Sequence, residues 1–320
     1  ALDTISLAGR GTVVQMGSWF TCIVDKPEVL PAQRFLFTPG NIIKDSFNYN
    51  YVPYNDRVDA IEISYWDEDL DYASQIITIQ SDFYETGNQE IKSSQVTLYS
   101  ITNRDLAIKH GKFLLNCARY LSLVASWDAD VDAIGCIPGD VVEIGWDFGG
   151  RIFDATSTTI RCDREITLDP LLTYQVTIKH QIDDTREDRT IASTIVDTAW
   201  SSGSTYSIGD YVSYDGHSFV CIQAIGSPPA PATTDNRYWS PVGTGFNITL
   251  AWSVIPAKFA LYSVGETGIT TKEVRVVSIG RSQDLRRKIT ALEYVEEVYD
   301  DAIIIPEPVP ISDLTISNFQ

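Results

Sequence analysis

The feature that most constrains this chain is how little of it can be helix. Segment 102–120 carries the clearest helical signature. Thr102-Asn103-Arg104-Asp105 has capping-box spacing, a carboxylate three residues after a hydroxyl that can accept from free amides, and Ala107, Gly111, Leu114 or Leu115 and Ala118 follow at helical intervals. A shorter run, Leu2, Ile5 and Ala8, reads as the end of another helix. Elsewhere apolar residues come in short runs bounded by turn formers, the pattern of strands. Strands are expected at 12–16 and 19–24 around a Gly17-Ser18 hairpin, and at 42–51, 60–66, 74–79 and 96–101. Leu121, Leu123, Ala125 and Trp127 alternate with Ser122, Val124 and Ser126, which predicts a strand with its odd-numbered face buried. Pro138-Gly139-Asp140 turns into a strand at 141–146. Further strands are expected at 158–162, 166–168, 174–178, 246–252, 259–264, 273–280 and 288–294, with the charged stretch 183–189 as a solvated turn. Sixteen Tyr, 12 Phe and 7 Trp against one Met agree with half-buried pleated surfaces. The fold class expected is mainly β (α+β), with one prominent helix near 102–120.

At 320 residues the chain can bury roughly two cores. Between 197 and 244 the composition shifts to Ser, Gly, Pro and aromatics, which sets a compact all-β module apart. The organisation expected is therefore a discontinuous β-rich region, 1–196 and 246–305, of two packed subdomains, with a module at 197–245 inserted in it. Residues 306–320 begin with the linker composition of Pro306 to Pro310 and continue into a strand-like Leu314-Thr315-Ile316, as in an excerpt of a longer polypeptide.

Charge and motifs narrow the function classes. A net charge of −19 and a pI near 4.4 argue against a nucleic-acid partner, because phosphate binding needs clustered Lys and Arg. The five cysteines form no C-x-x-C pair and read as buried free thiols, and His110, His180 and His217 have no ligand spacing, so neither a metal nor a disulfide framework is expected. No apolar run approaches the ~20 residues of a membrane span. Asp67-Glu68-Asp69-Leu70-Asp71 and Asp128-Ala129-Asp130-Val131-Asp132 alternate like calcium loops but lack the Gly and Glu of an EF-hand, and read as solvated turns. No dinucleotide, Walker or G-x-S-x-G motif is present, so no cofactor and no catalytic residue is expected. Two alternatives stay open. A glycoside hydrolase would need two carboxylates across a glycosidic bond, and a surface sugar-binding protein would need no assembly partner.

Four stretches, in one order, resemble the hub region of lambda-type phage tail-tip (host-specificity) proteins: 41–66 (NIIKDSFNYNYVPYNDRVDAIEISYW), 101–146, 151–168 (RIFDATSTTIRCDREITL) and 273–299. The resemblance includes a run at 55–63, a helix opening like Thr102-Asn103-Arg104, a P-G-D-V turn at 138–141 and an I-T-A-x-E-Y strand at 289–294. It implies a homotrimeric β-rich hub that closes the tail tube at the distal tail tip of the virion. It also implies distal tail and tail-tube proteins as partners, and a fibronectin type III-like domain starting within 306–320.

The insert resembles the small chitin-binding modules of bacterial chitinases, through Ala199-Trp200, Tyr206, Gly209-Asp210, Val212, Tyr214, Gly216, Phe219 and Trp239. Trp200, Tyr206, Val212, Tyr214, Phe219 and Trp239 are expected to form its core. Such modules bind sugar on exposed flat rings, and here those positions fall at Gln223 and Ile225. That leaves Tyr211, His217 and Tyr238 as candidate contacts to a host envelope glycan.

Overall fold

The computed structural model describes residues 5–6, 9–16, 19–27, 35–53, 57–80, 92–145, 147–224, 226, 229–231, 237–281 and 286–300. The expected hairpin turn Gly17-Ser18, the linker at 306–310 and the fibronectin-like start lie outside them. The fold is mainly β, and the chain divides into two compact units.

The first unit comprises 1–27, 54–120 and 296–320. Strands β1 (Gly11–Met16) and β2 (Trp19–Val24) pair antiparallel. Strands β5 (Ala60–Asp67), β6 (Ala73–Gln80) and β7 (Ser93–Thr97) form a three-stranded sheet with β5 central, antiparallel to β6 and parallel to β7. The buried alternation of β5, Ile61, Ile63 and Tyr65, meets helix α1 (Arg104–Tyr120) through Ala107, Ile108 and Leu115. Gly111 sets how closely the helix approaches, since a Cβ there would lie 2.1 Å from Ile63 Cδ1 and 2.5 Å from Ile79 Cδ1. The helix cap differs from the expected box. Asn103 Oδ1 accepts from the Asp105 and Leu106 amides at 2.9 and 3.3 Å, while the Thr102 hydroxyl donates to Glu68. Asn is as good an N-cap as a hydroxyl residue, so the free amides of the first turn are still served.

The second unit comprises 28–53 and 121–295. It holds a six-stranded sheet ordered β3 (Leu36–Phe37), β9 (Val141–Gly145), β20 (Thr271–Arg281), β21 (Arg287–Glu293), β8 (Leu123–Ala129) and β4 (Asn48–Tyr51). The odd-numbered face of β8 is buried, with Trp127 at 1% exposure packed among Phe37, Val142, Ile144, Val276 and Ile289. Of the expected strand 42–51 only Asn48–Tyr51 is continuous, with an isolated bridge at Ile42.

A closed barrel follows in the order β10 (Phe148–Ala155), β11 (Thr159–Cys162), β18 (Gly245–Ile248), β13 (Arg186–Thr194), β12 (Tyr174–Lys179) and β19 (Leu261–Glu266). Closure leaves no unpaired strand edge, and Ile152, Ile160, Cys162, Val176, Ile178, Phe246, Tyr262 and Val264 fill the interior. The stretch 183–189 corrects the expected solvated turn, because its second half enters β13. Its charges are tolerated through pairing. Glu187 is 8% exposed, yet it accepts from the Ser253 amide and hydroxyl at 2.8 Å each, meets His180 Nε2 at 2.7 Å and pairs with Arg189. Burial works against its charge, but these partners outweigh it and hold the carboxyl below its usual range. The segment 166–168 forms no strand, and Ile166 plugs the barrel core from a loop. Strands β13 and β18 are neighbours, with Ile191↔Ile248 and Thr194↔Phe246, so the chain leaves the barrel after β13 and re-enters beside it.

Cysteines depart from the buried expectation at two places: Cys136, Cys162 and Cys221 are buried, whereas Cys117 is half-buried and Cys22 exposed. Burial pushes the Cys162 thiol up to about 12, which makes it inert. Among the described residues no helix is long and apolar enough to cross a membrane.

Candidate carbohydrate-binding module and its seat on the barrel

Between the two barrel strands lies a four-stranded sheet, β14 (Thr198–Ala199), β15 (Tyr211–Tyr214), β16 (His217–Cys221) and β17 (Trp239–Val242). Strands β15 and β16 form a tight hairpin through Asp215-Gly216, at φ 50° and 80°. Two positive φ values in a two-residue loop are those of a type I′ turn, whose twist suits paired strands and whose second position favours Gly. Alternation sends Val212, Phe219, Cys221 and Trp239 to one face, where Trp200, Tyr206 and Tyr238 close over them. Tyr206 meets Trp239 edge-on at 5.1 Å, and Trp239 Nε1 donates to the Pro229 carbonyl at 2.9 Å. The indole is thus buried with its polar atom satisfied. Tyr214 stands at the rim of this core, edge-on to Trp200 at 5.5 Å and 38% exposed.

The opposite face of the sheet is covered too. Val220, opposite Tyr211, and Val242, opposite Ser218, are 6% and 5% exposed although they point away from the module's core. A linked set of polar contacts seats the module on the barrel. Arg161 of β11 pairs through both terminal nitrogens with Asp197, the residue that leads into the module. The same guanidinium lies over the Tyr211 ring, 3.7 Å from its centroid, and the Tyr211 hydroxyl donates to Asp154 of β10 at 2.8 Å. The side chains of Arg161 and Asp197 are 8% and 4% exposed, so this pair is withdrawn from water. Burial and the Asp154 carboxylate together raise the Tyr211 hydroxyl well above a free phenol. At the hairpin tip His217 Nδ1 meets Glu165 at 2.6 Å, and this bond and charge raise the imidazole above its ordinary value. On the exit side, Gly243 passes so close to the Arg164 backbone that a Cβ would lie 2.1 Å from its carbonyl oxygen.

The three sequence candidates therefore occupy different settings. Tyr211 has one ring face under Arg161 and its hydroxyl on Asp154. Tyr238 packs against the module core. His217 is half exposed. Gln223 is exposed, and Ile225 lies outside the described residues. The partners Asp154, Arg161, Glu165 and Asp197 were not singled out from the sequence. Isolated charged residues in strands and loops carry no local mark of a partner 36 to 57 residues away.

Other chemistry-bearing groups are engaged structurally. Asp67 is 6% exposed, accepts from the Tyr65 hydroxyl at 2.8 Å and caps a short turn through the Asp69 amide. Asp132 pairs with Arg151 at 3.2 Å. A cleft of about 220 Å³ beside Phe35, Asn41, Lys179 and Asp184 includes Arg151, whose Nε and Nη1 donate to the Gly40 and Phe259 carbonyls. Among the described residues no three His, Cys, Asp or Glu side chains gather as a metal site.

Two family models match the chain. Residues 8–164, from β1 through β11, match a family described as "Putative phage tail protein". Residues 199–241 match "Carbohydrate-binding module family 5/12". Among solved structures, a chain in "Virion of native gene transfer agent (GTA) particle" is similar over 95% of this chain at 8% identity and a TM-score of 0.44. This chain spans 40% of the length of that one. No curated protein sequence matches. The chain is thus similar to a phage-tail family along 8–164 and to the carbohydrate-binding module family 5/12 along 199–241.

Proposed function

We propose that the chain is a structural hub component of a phage tail tip, akin to the lambda-type host-specificity proteins, which closes the tail tube and links it to host-recognition domains. The observation that carries this reading is the phage-tail match along residues 8–164, which takes in two of the four resembling stretches whole and most of a third. The hub would act as a homotrimer among distal tail and tail-tube proteins in the virion. The acidic balance of −19 suits a surface near packaged DNA that must not adhere to it. The role is structural and calls for no catalysis, and the buried carboxylates Asp67, Glu143, Glu187 and Asp197 serve bonds and ion pairs.

The module would add a contact to a host envelope glycan. Its double-sided burial supports a fixed position on the hub, in contrast to a head on a tether. A second reading, a surface sugar-binding protein with no tail partner, is favoured by the 199–241 match taken alone. Electron microscopy of particles carrying a gold-labelled version of this chain separates the two. Label at the distal tail end is expected, and label absent from particles overturns the tail assignment. Sedimentation of the purified chain tests the trimer, which a monomer at every concentration would exclude.

A further inference from the structure

The hairpin tip of the module gathers groups that the buried set of Arg161, Asp197, Tyr211 and Asp154 does not consume. Tyr214 and His217 are the last register pair before the Asp215-Gly216 turn. Directly opposite side chains share a face, with Cβ atoms about 4.5–5.5 Å apart, so the phenol and the imidazole stand side by side. Tyr214 is 38% exposed, and the side chains of His217 and Glu165 are 48% and 53% exposed. The Trp200 ring meets Tyr214 edge-on and limits its rotation. Glu165, contributed by the barrel, fixes the imidazole through Nδ1 and turns Nε2 away from that bond. A Cβ at Gly216 would meet nothing within 4 Å, so the tip is open to approach.

From this arrangement we infer that Tyr214, His217 and Glu165 form a composite site for one pyranose unit of a neutral glycan. The inference rests on the reading of the module as a glycan contact and names its site. A pyranose offers a C–H face that stacks on an aromatic ring and equatorial hydroxyls at its edge. Tyr214, braced by Trp200, supplies the ring, and little side-chain freedom is lost when the sugar arrives. His217 Nε2 supplies the hydrogen bond, and Glu165 is the positioning residue. The ligand class follows from charge. Glu165 and Asp215 border the site within a chain of net charge −19, which repels uronate- or phosphate-bearing polymers and leaves neutral hexose or N-acetylhexosamine chains. The site spans the joint, so a free-standing module would lack Glu165.

The test is affinity electrophoresis of the full chain through gels containing glycol chitin, mannan, dextran or laminarin, with polygalacturonate as the anionic comparison. At least one neutral polymer should retard the native chain and polygalacturonate should not. Tyr214→Ala and His217→Ala should each weaken that retardation roughly tenfold, with the thermal midpoint unchanged in Tyr214→Ala and lowered only by the loss of the exposed Glu165 contact in His217→Ala. Glu165→Gln should weaken it less and bring the His217 titration, followed by NMR, back toward the ordinary histidine value. Tyr211→Phe and Tyr238→Phe should retain binding. Retardation that survives both tip substitutions, or is lost in Tyr211→Phe or Tyr238→Phe, overturns this site while leaving the glycan contact standing. Preference for polygalacturonate overturns the ligand class. No retardation of the native chain by any neutral polymer overturns the glycan contact itself and leaves the tail assignment untouched.

Discussion

Replacing Arg161 with Met keeps much of the side-chain length in β11 but removes the guanidinium that pairs with Asp197 and covers Tyr211. Both charged side chains are nearly withdrawn from solvent, at 8% and 4% exposure, so the loss differs in kind from that of a surface ion pair. Breaking one partner of a buried pair leaves the other desolvated and unpaired, at a cost of about 3–5 kcal/mol. The lost stacking on Tyr211 belongs to the same cluster and is not simply additive. For a unit of about 200 residues each kcal/mol moves the midpoint by roughly 2–4 °C, so Arg161→Met should lower it by about 10 °C. Thermal unfolding followed by near-ultraviolet circular dichroism reads this directly, because Tyr211 and the module's tryptophans report on their packing. The double variant Arg161→Met with Asp197→Leu should recover most of the loss, since the stranded carboxylate is gone as well. A single variant that loses less than about 1 kcal/mol, the range of exposed pairs, would refute the claim that this seat is buried and structural.

Gly111→Ala should destabilise the first unit by about 1–3 kcal/mol in urea unfolding, despite the better helix propensity of Ala, because the new methyl would collide with Ile63 and Ile79; a gain would contradict the close approach. Trp239→Ala should cost about 3–5 kcal/mol and melt the module first, as seen by loss of amide protection in β15–β17 before the barrel, since Trp239 is 1% exposed at the centre of that core. Histidine titrations by NMR should move in opposite directions. His217 should titrate above 6.5 because of its Glu165 partner, and His110, 3% exposed on α1, below 6.5 because of burial and the nearby Arg10 charge. The signs for stability follow. The His217 contribution is complete below the unfolded value of about 6.5 and is lost as pH rises through its raised folded value. Neutral His110 instead leaves the fold weaker as pH falls from about 6.5 through its lowered folded value. A His217 midpoint unchanged in Glu165→Gln would contradict the pairing.

Local periodicity was enough to read the elements that bury one face on their own. The alternation from Leu123 to Ala129 and the spacing along 104–120 both became buried faces, because period 2 and period 3.6 translate directly into which side chains meet a core. The composition break at 197 and the spacing of Trp200, Val212, Phe219 and Trp239 likewise exposed a small core closed by neighbours in sequence. Where a charged segment found its partners through the fold, composition misled: 183–189 looked like a solvated turn, but 186–189 is strand, with Arg186 paired to Glu143, Glu187 paired to Arg189 and bonded by Ser253, and Asp188 accepting from Thr177.

The sequence by itself determined the β character and the single prominent helix, because each of these is settled by side chains within one turn or one strand of each other. Only the tertiary structure decided that β13 and β18 are neighbours in a closed barrel, that Arg161 and Asp154 take Tyr211 for the seat, and that Glu165 reaches His217 and leaves Tyr214 beside it at an open tip. These depend on barrel closure and on register between strands far apart in the chain. A hydrogen bond or ion pair across such a separation is set by where two backbones come to lie, and it imposes no period on either segment.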